Sequence, residues 1–410
     1  MYFVSFCKAA TATRVRRALL AMTFAPLLWV VDASLRPDMP PVASATVVRN
    51  ALMQGASAAP ATSASEPVVW QVQAQGPIPS LGQDKAAHAS SLLPSSAGLL
   101  VFWFSGDRES GPLVQIAATQ WDAGQQQWLP ARAVVNRHTL GRDLGLGVRR
   151  LGNPVAWRDG QGRIHLFVVG TGWGGWAASR VVHLRQCDNP AASDALSQLC
   201  FEPVGVLPLA WGWNTSYLVR NAPLPLADGG MVLPVHFELG SKVPALLRFD
   251  AQGGYLGMVR ISQRDYALQP ALLPLGEHHW LALMRDERHD GRILAAQSQD
   301  GGKRWQDLPD LDLLNPDSAV SGLTLPSGEL LLAHNNSPSG RERLDLSASR
   351  DGAHWGLLRT LESGKPEDEF SYPAMAWVDG QLWVTYTVDR ARLAWQRLAP
   401  VPASVERKTP

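Results

Sequence analysis

The chain has 410 residues, with 37 Lys and Arg against 36 Asp and Glu, 46% hydrophobic and 18% charged residues. A net charge of +1 without a basic block in its body argues against a dedicated nucleic-acid surface, which needs clustered cations. The apolar content excludes a mainly disordered chain, and three cysteines are too few for a disulfide-built scaffold or a four-thiolate zinc site.

At the N-terminus, Arg14, Arg16 and Arg17 precede an apolar run over residues 18–31, interrupted by Thr23 and Pro26. That length is short for a membrane span of roughly 20 residues and suits the core of an export signal. Ala33 and Ser34 supply small residues for cleavage, so residues 1–35 are expected to be a signal peptide or a retained N-terminal anchor. Both readings place the body outside the cytoplasm, periplasmic or extracellular, with membrane contact only through this segment. Residues 36–67, rich in Ala, Ser and Pro, read as a linker. Cys7 lies ahead of the apolar run. Cys187 and Cys200 bracket a short polar loop, and in an oxidising compartment a disulfide between them is expected, worth roughly 3 kcal/mol in the chain-entropy model.

From residue 68 onward one signal recurs: a turn residue, then a short apolar run rich in β-formers. It begins at Gly98, Gly162, Gly230, His279, Gly328 and Gly380, with successive spacings of 64, 68, 49, 49 and 52 residues. Runs this short, bounded by turns, predict strands buried on both faces. A second signal follows in phase. Ser298-Gln-Asp-Gly-Gly-Lys-Arg-Trp305 and Ser349-Arg-Asp-Gly-Ala-His-Trp355 predict hairpin turns, with a worn copy over residues 119–128. In each, Asp accepts from turn amides, Gly takes positive φ, and Trp packs back under the hairpin. Six antiparallel units of roughly 50 residues predict an all-β, six-bladed β-propeller over residues 68–400, followed by a tail over 401–410. A sandwich with a separate second domain would leave the phased hairpins unexplained.

Those turns resemble the Asp-boxes, or bacterial-neuraminidase repeats, of the sialidase superfamily. The resemblance implies an arginine grip on a substrate carboxylate, a Tyr nucleophile activated by a Glu, and an Asp acid/base. Arg285 looks like the second arginine, and Arg341, eight residues before Ser349, like the third. Elsewhere the pattern departs. His88 stands at the first-arginine position, Leu113 near the acid/base position, Gln269 at that of the activating Glu, and Phe370 at that of the nucleophile. His88-Ala-Ser90, Gly106-Asp-Arg-Glu109, Asn153-Pro154, residues 233–238, Gln269-Pro270, Asn315-Pro-Asp-Ser318 and Ser371-Tyr-Pro373 resemble instead a divergent branch called predicted neuraminidases.

The residues themselves suggest one pocket. Arg285 and Arg341 would bind a carboxylate, with Arg108 as a third charge and Gln269 and Glu238 beside them. Tyr372, two residues from the nucleophile position, is expected on the same side of an extended strand as Phe370. Glu369 or Glu238 would draw its proton, and Asp107 or Glu109 would protonate the leaving oxygen. His88 either joins this chemistry or bonds a neighbouring turn. Arg285 beside Asp286, and Arg341 beside Glu342, also fit solvated ion pairs. Trp173, Trp176, Trp211 and Trp213, set among glycines, read as sugar-stacking rings or as packing between blades. Glu277-His278-His279 lacks helical metal-ligand spacing, and no metal or cofactor is expected.

Three functions follow. The first is an exported exo-sialidase-like glycosidase acting on an acidic oligosaccharide or polysaccharide. The second is a non-catalytic glycan-binding or cell-envelope propeller. The third is a lyase in which Tyr372 or His88 takes the proton beside a uronate carboxylate. A fold match alone does not choose among them.

Overall fold

The computed structural model describes residues 46–47, 68–96, 98–187, 195–210 and 214–402. The apolar run 18–31, Cys7, most of the linker, Trp211, Trp213 and the tail beyond residue 402 lie outside the described residues. Six antiparallel sheets follow one another around a ring. Their innermost strands are Ala86–Ser95, Arg150–Arg158, Tyr217–Val219, Ala267–Pro274, Ser321–Thr324 and Phe370–Val378, in blades 1 to 6. The six apolar runs of the sequence form the second strand of each blade, from Gly98–Gly106 in blade 1 to Gln381–Val388 in blade 6. Those strands are buried on both faces because each blade is sandwiched by its neighbours. Phe102, Trp103 and Phe104, for example, are at most 1% exposed. Burying a side chain of that size contributes about 1.5–3 kcal/mol.

The ring closes with strands from both ends of the described chain. Val68–Pro77 pairs with Arg392–Pro402 and becomes the outer strand of blade 6. The pairing runs two residues into the expected tail. At the seam with blade 1, Trp121, Trp128, Trp383 and Trp395 stack with centroids 5.0–6.0 Å apart. Edge and offset contacts of this kind add to plain burial. One short α-helix, Arg137–Leu144, lies between blades 1 and 2, capped by the Asn136 side chain and ended by Gly145 at φ 65°. Cys187 and Cys200 are joined by a disulfide, with Cα atoms 5.4 Å apart.

All inner strands start at the same end of the ring, here the upper end. The phased hairpin turns sit at the lower end. In both, Asp300 and Asp351 accept turn amides, and Trp305 and Trp355 donate Nε1–H to Gly302 and Gly352. Gly352, at φ 77°, has no room for a side chain, since a Cβ would come within 2.8 Å of Leu281. The lower mouth of the channel opens into a cavity of about 320 Å³ lined mainly by apolar groups such as Leu92, Trp157, Leu224 and Met375.

Candidate functional site

The upper end is built from an irregularity repeated in four inner strands. Each is bulged where it should continue straight: between His88 and Ser91, Gly152 and Val155, Leu268 and Ala271, and Ser371 and Ala374. At each bulge a non-glycine residue takes left-handed backbone: Ala89 at φ 55°, Asn153 at 40°, Gln269 at 50° and Tyr372 at 52°. Three of the four precede a proline, whose missing N–H suits an interrupted ladder. The bulge re-aims a side chain, and that overturns one expectation. Phe370 and Tyr372 do not share a face. Phe370 packs with Tyr386 in the core between blades 5 and 6, whereas the Tyr372 ring lies 4.1 Å from His88 of blade 1.

Two adjacent residues of blade 3 gather three of these bulges, those of blades 1, 4 and 6. Arg220 donates from Nη1 to the Ser90 carbonyl (3.2 Å) and from Nη2 to the Pro373 carbonyl (2.7 Å). Asn221 donates to the carbonyls of Gln269 (2.9 Å) and Pro270 (3.1 Å). Blades 1, 3, 4 and 6 are thereby tied at one point.

Above this hub lies a charged cluster. Arg285 donates from Nε to Asp317 (2.6 Å) and from Nη1 to the Gln269 side chain (3.3 Å) and the Tyr372 hydroxyl (3.4 Å). Gln269 also donates to that hydroxyl, at 3.4 Å. Arg341 donates to Glu369 (3.0 Å) and to the Asp317 carbonyl (2.7 Å). Asp317 thus links the two arginines, whose side chains are 14% and 16% exposed and so reachable from solvent. Neither arginine pairs with its sequence neighbour; Asp286, for instance, holds Arg288. Burial works against the Arg285 charge, but Tyr372, Asp317 and Glu238 hold its pKa above the ordinary value. Glu238 lies 3.4 Å from His236, which with Arg285 and Lys242 keeps its carboxyl below the usual range.

Several expected roles change. Glu369 does not reach Tyr372: Ser371 (2.5 Å) and Arg341 hold one carboxylate oxygen, and Arg390 (2.9 Å) holds the other. Burial alone would raise its pKa, yet these donors hold it at about 2. It is a fixed anion that orders arginines, not a base. Glu109 is bound to Arg390 at 2.7 Å. Asp107 and Arg108 lie exposed on the same turn, and among the described residues neither bonds to the cluster, so Arg108 does not provide the third charge. His88 is buried, its Nδ1 lacks a partner, and burial lowers its pKa to about 3. It is neutral and replaces no arginine. Leu113 is 64% exposed on the rim loop.

Arg220, Asn221 and Arg390 escaped the sequence reading, and Asp317 entered it only as part of the Asn315–Ser318 motif, without its pairing to Arg285. Arg220 and Asn221 had one usable signal: a cation ending the apolar run Tyr217-Leu-Val, three residues before Pro223. On the rim, Trp173 is 83% exposed, with the Arg149 guanidinium 3.4 Å from its ring centroid. Trp176 instead packs over Gly152, where a Cβ would meet it at 2.7 Å.

The BNR repeat-like domain matches residues 97–384 of this chain. Among solved structures the chain is similar to the Hadza microbial sialidase, at 15% identity over 78% of this chain and 66% of that one, with a TM-score of 0.59. Trypanosoma rangeli sialidase in complex with the inhibitor DANA aligns at 12% identity over 80% and 60%, TM-score 0.63. A protein of unknown function from Dyadobacter fermentans DSM 18053 aligns at 14% identity over 80% of this chain and 99% of that one, TM-score 0.60. The chain therefore spans 60–66% of the length of these two sialidases, and identities this low speak for the fold alone. No curated protein matches.

Proposed function

The chain belongs to the BNR repeat-like domain family, and from that premise we propose that it is an exported sialidase-like glycoside hydrolase acting on a carboxylate-bearing glycan. The observation that carries this reading is the meeting of Arg285, Arg341 and Tyr372, residues of three different blades, at the open upper mouth. Two mostly buried guanidiniums with edges open to solvent beside one phenol suit a carboxylate held next to a reacting carbon, because planar forks pair with carboxylates through two hydrogen bonds. In the proposed reaction the Tyr372 oxygen attacks the anomeric carbon, the glycosidic C–O bond breaks, and a carboxyl on the Asp107–Glu109 turn protonates the leaving oxygen. Water then releases the sugar. Of the two carboxyls Asp107 is the freer, since Glu109 is tied to Arg390. Secretion is supported by the Arg14–Arg17 cluster with its apolar run and by the Cys187–Cys200 bond. Cell fractionation that leaves the protein in the cytoplasm would contradict it.

The test is product analysis with a panel of acidic oligosaccharides and their aryl glycosides. Release of a saturated acidic sugar by the wild type, lost in Tyr372→Phe, is expected. One feature favours a lyase as second reading: no carboxylate reaches the Tyr372 hydroxyl among the described residues, as in a site where a phenolate takes a proton from carbon. Ultraviolet-absorbing unsaturated products would establish that alternative. Saturable binding without any product would leave a glycan-binding propeller.

A further inference from the structure

Three of the four arginines around Tyr372 are matched by carboxylates. Arg285 is paired with Asp317, Arg341 and Arg390 share Glu369, and Arg390 also holds Glu109. Arg220 is not. It is 3% exposed, it meets two backbone carbonyls, its Nε meets nothing, and among the described residues no carboxylate touches it. A buried cation without an anion is a standing penalty unless a negative charge arises beside it. A group able to become negative lies beside it: Tyr372, whose ring centroid is 5.1 Å from the Arg220 guanidinium carbon.

We propose that Arg220 is the positioning residue of the reaction centre: it ties the bulges that aim His88 and Tyr372, and its charge balances the phenolate that forms when Tyr372 gives up its proton. This rests on the reading of Tyr372 as the reacting group and adds how it is activated. A Glu base is missing: Gln269 offers an amide, which only donates to the hydroxyl. Glu369 is turned away by Ser371, Arg341 and Arg390, and burial disfavours the protonated form that His88 would become as a base. What faces Tyr372 is cationic on two sides, Arg220 over the ring and Arg285 at the oxygen. The O–H bond breaks, the proton leaves to solvent water at the open mouth, and the two guanidiniums hold the remaining charge. Activation comes from cations instead of a base.

The experiment needs no substrate. Tyrosinate absorbance is followed against pH in the full chain, and the step absent from Tyr372→Phe is assigned to Tyr372 among the six tyrosines. In Arg220→Gln, which keeps a donor for one carbonyl but no charge, that step is expected to move to higher pH by about one unit or more. In Arg220→Lys it lies between, because the ammonium sits off the guanidinium position. A step that stays put in both variants overturns the proposal. If the Gln variant does not fold, the Lys variant decides: a residue that only ties backbone would lower stability and leave the step unmoved. Should a substrate emerge from the glycan panel, kcat in Arg220→Gln falls about tenfold at neutral pH and recovers as pH rises, with KM within about threefold. Absence of turnover with a moved step would sink the hydrolase reading alone. Turnover with an unmoved step would sink the role of Arg220 alone.

Discussion

The two ends of the ring handle backbone strain in opposite ways. At the lower end, left-handed backbone falls mostly on glycines such as Gly302, Gly328 and Gly352, and the Asp and Trp side chains of the hairpins satisfy the turn. At the upper end the same backbone is imposed on Ala89, Asn153, Gln269 and Tyr372. A side chain in that region costs about 1–3 kcal/mol and persists only when surrounding contacts over-determine it. At three of the four, Ala89, Gln269 and Tyr372, the over-determining contacts are the hydrogen bonds of Arg220 and Asn221 to the bulges. The lower end is built for stability, and the upper end spends some of it to aim side chains inward.

That contrast can be broken in several places. The largest effect is expected in the tryptophan seam. Trp121→Ala should destabilise the fold by about 3–5 kcal/mol in chemical denaturation, while the activity per folded molecule stays near wild type. At the upper end, Arg285→Ala should do the reverse. It should lower kcat/KM on an acidic glycan by about a hundredfold, roughly 2.7 kcal/mol, with a small change in Tm. If Arg285→Ala instead unfolds the protein and leaves turnover intact, the division of labour fails.

Acid should reach the upper end first. The folded-state pKa of Glu369, about 2, lies below its ordinary 4.5, so its contribution is present above the unfolded value and is lost as pH falls toward about 2. Between about pH 5 and pH 2 the wild type should lose about 1–3 kcal/mol more stability than Glu369→Gln, as read by urea titration at each pH. Equal slopes would mean that the Ser371, Arg341 and Arg390 contacts do not favour the carboxylate.

The smallest effects carry opposite signs. Ala89→Gly relieves a left-handed residue and should stabilise by up to about 1 kcal/mol. Gly352→Ala imposes one and collides with Leu281, so about 1–2 kcal/mol of stability should be lost. Matching signs would show that strain is not distributed by end as described.

Much of this molecule is legible in its sequence. The period of short apolar runs gave the six second strands, because a strand buried on both faces needs unbroken β-forming apolar residues. The Ser-x-Asp-Gly turns that end in Trp announced their own hydrogen bonds, because donor, acceptor and positive-φ glycine lie within a few residues of each other. Arg285 and Arg341 were also legible, each at a strand or loop position that its local motif marks. The roles of Glu369, Arg108 and His88 were not, nor was the separation of Phe370 from Tyr372. Alternation along a strand assumes an unbroken ladder, and the bulge between Ser371 and Ala374 breaks it. Local sequence determined the ring and its turns, since those depend on neighbours along the chain. Which charges pair, which stay free, and which side chain faces the channel depended on three blades meeting around one buried guanidinium, a contact between residues as far apart as Ser90, Arg220 and Pro373 that only the closed ring creates.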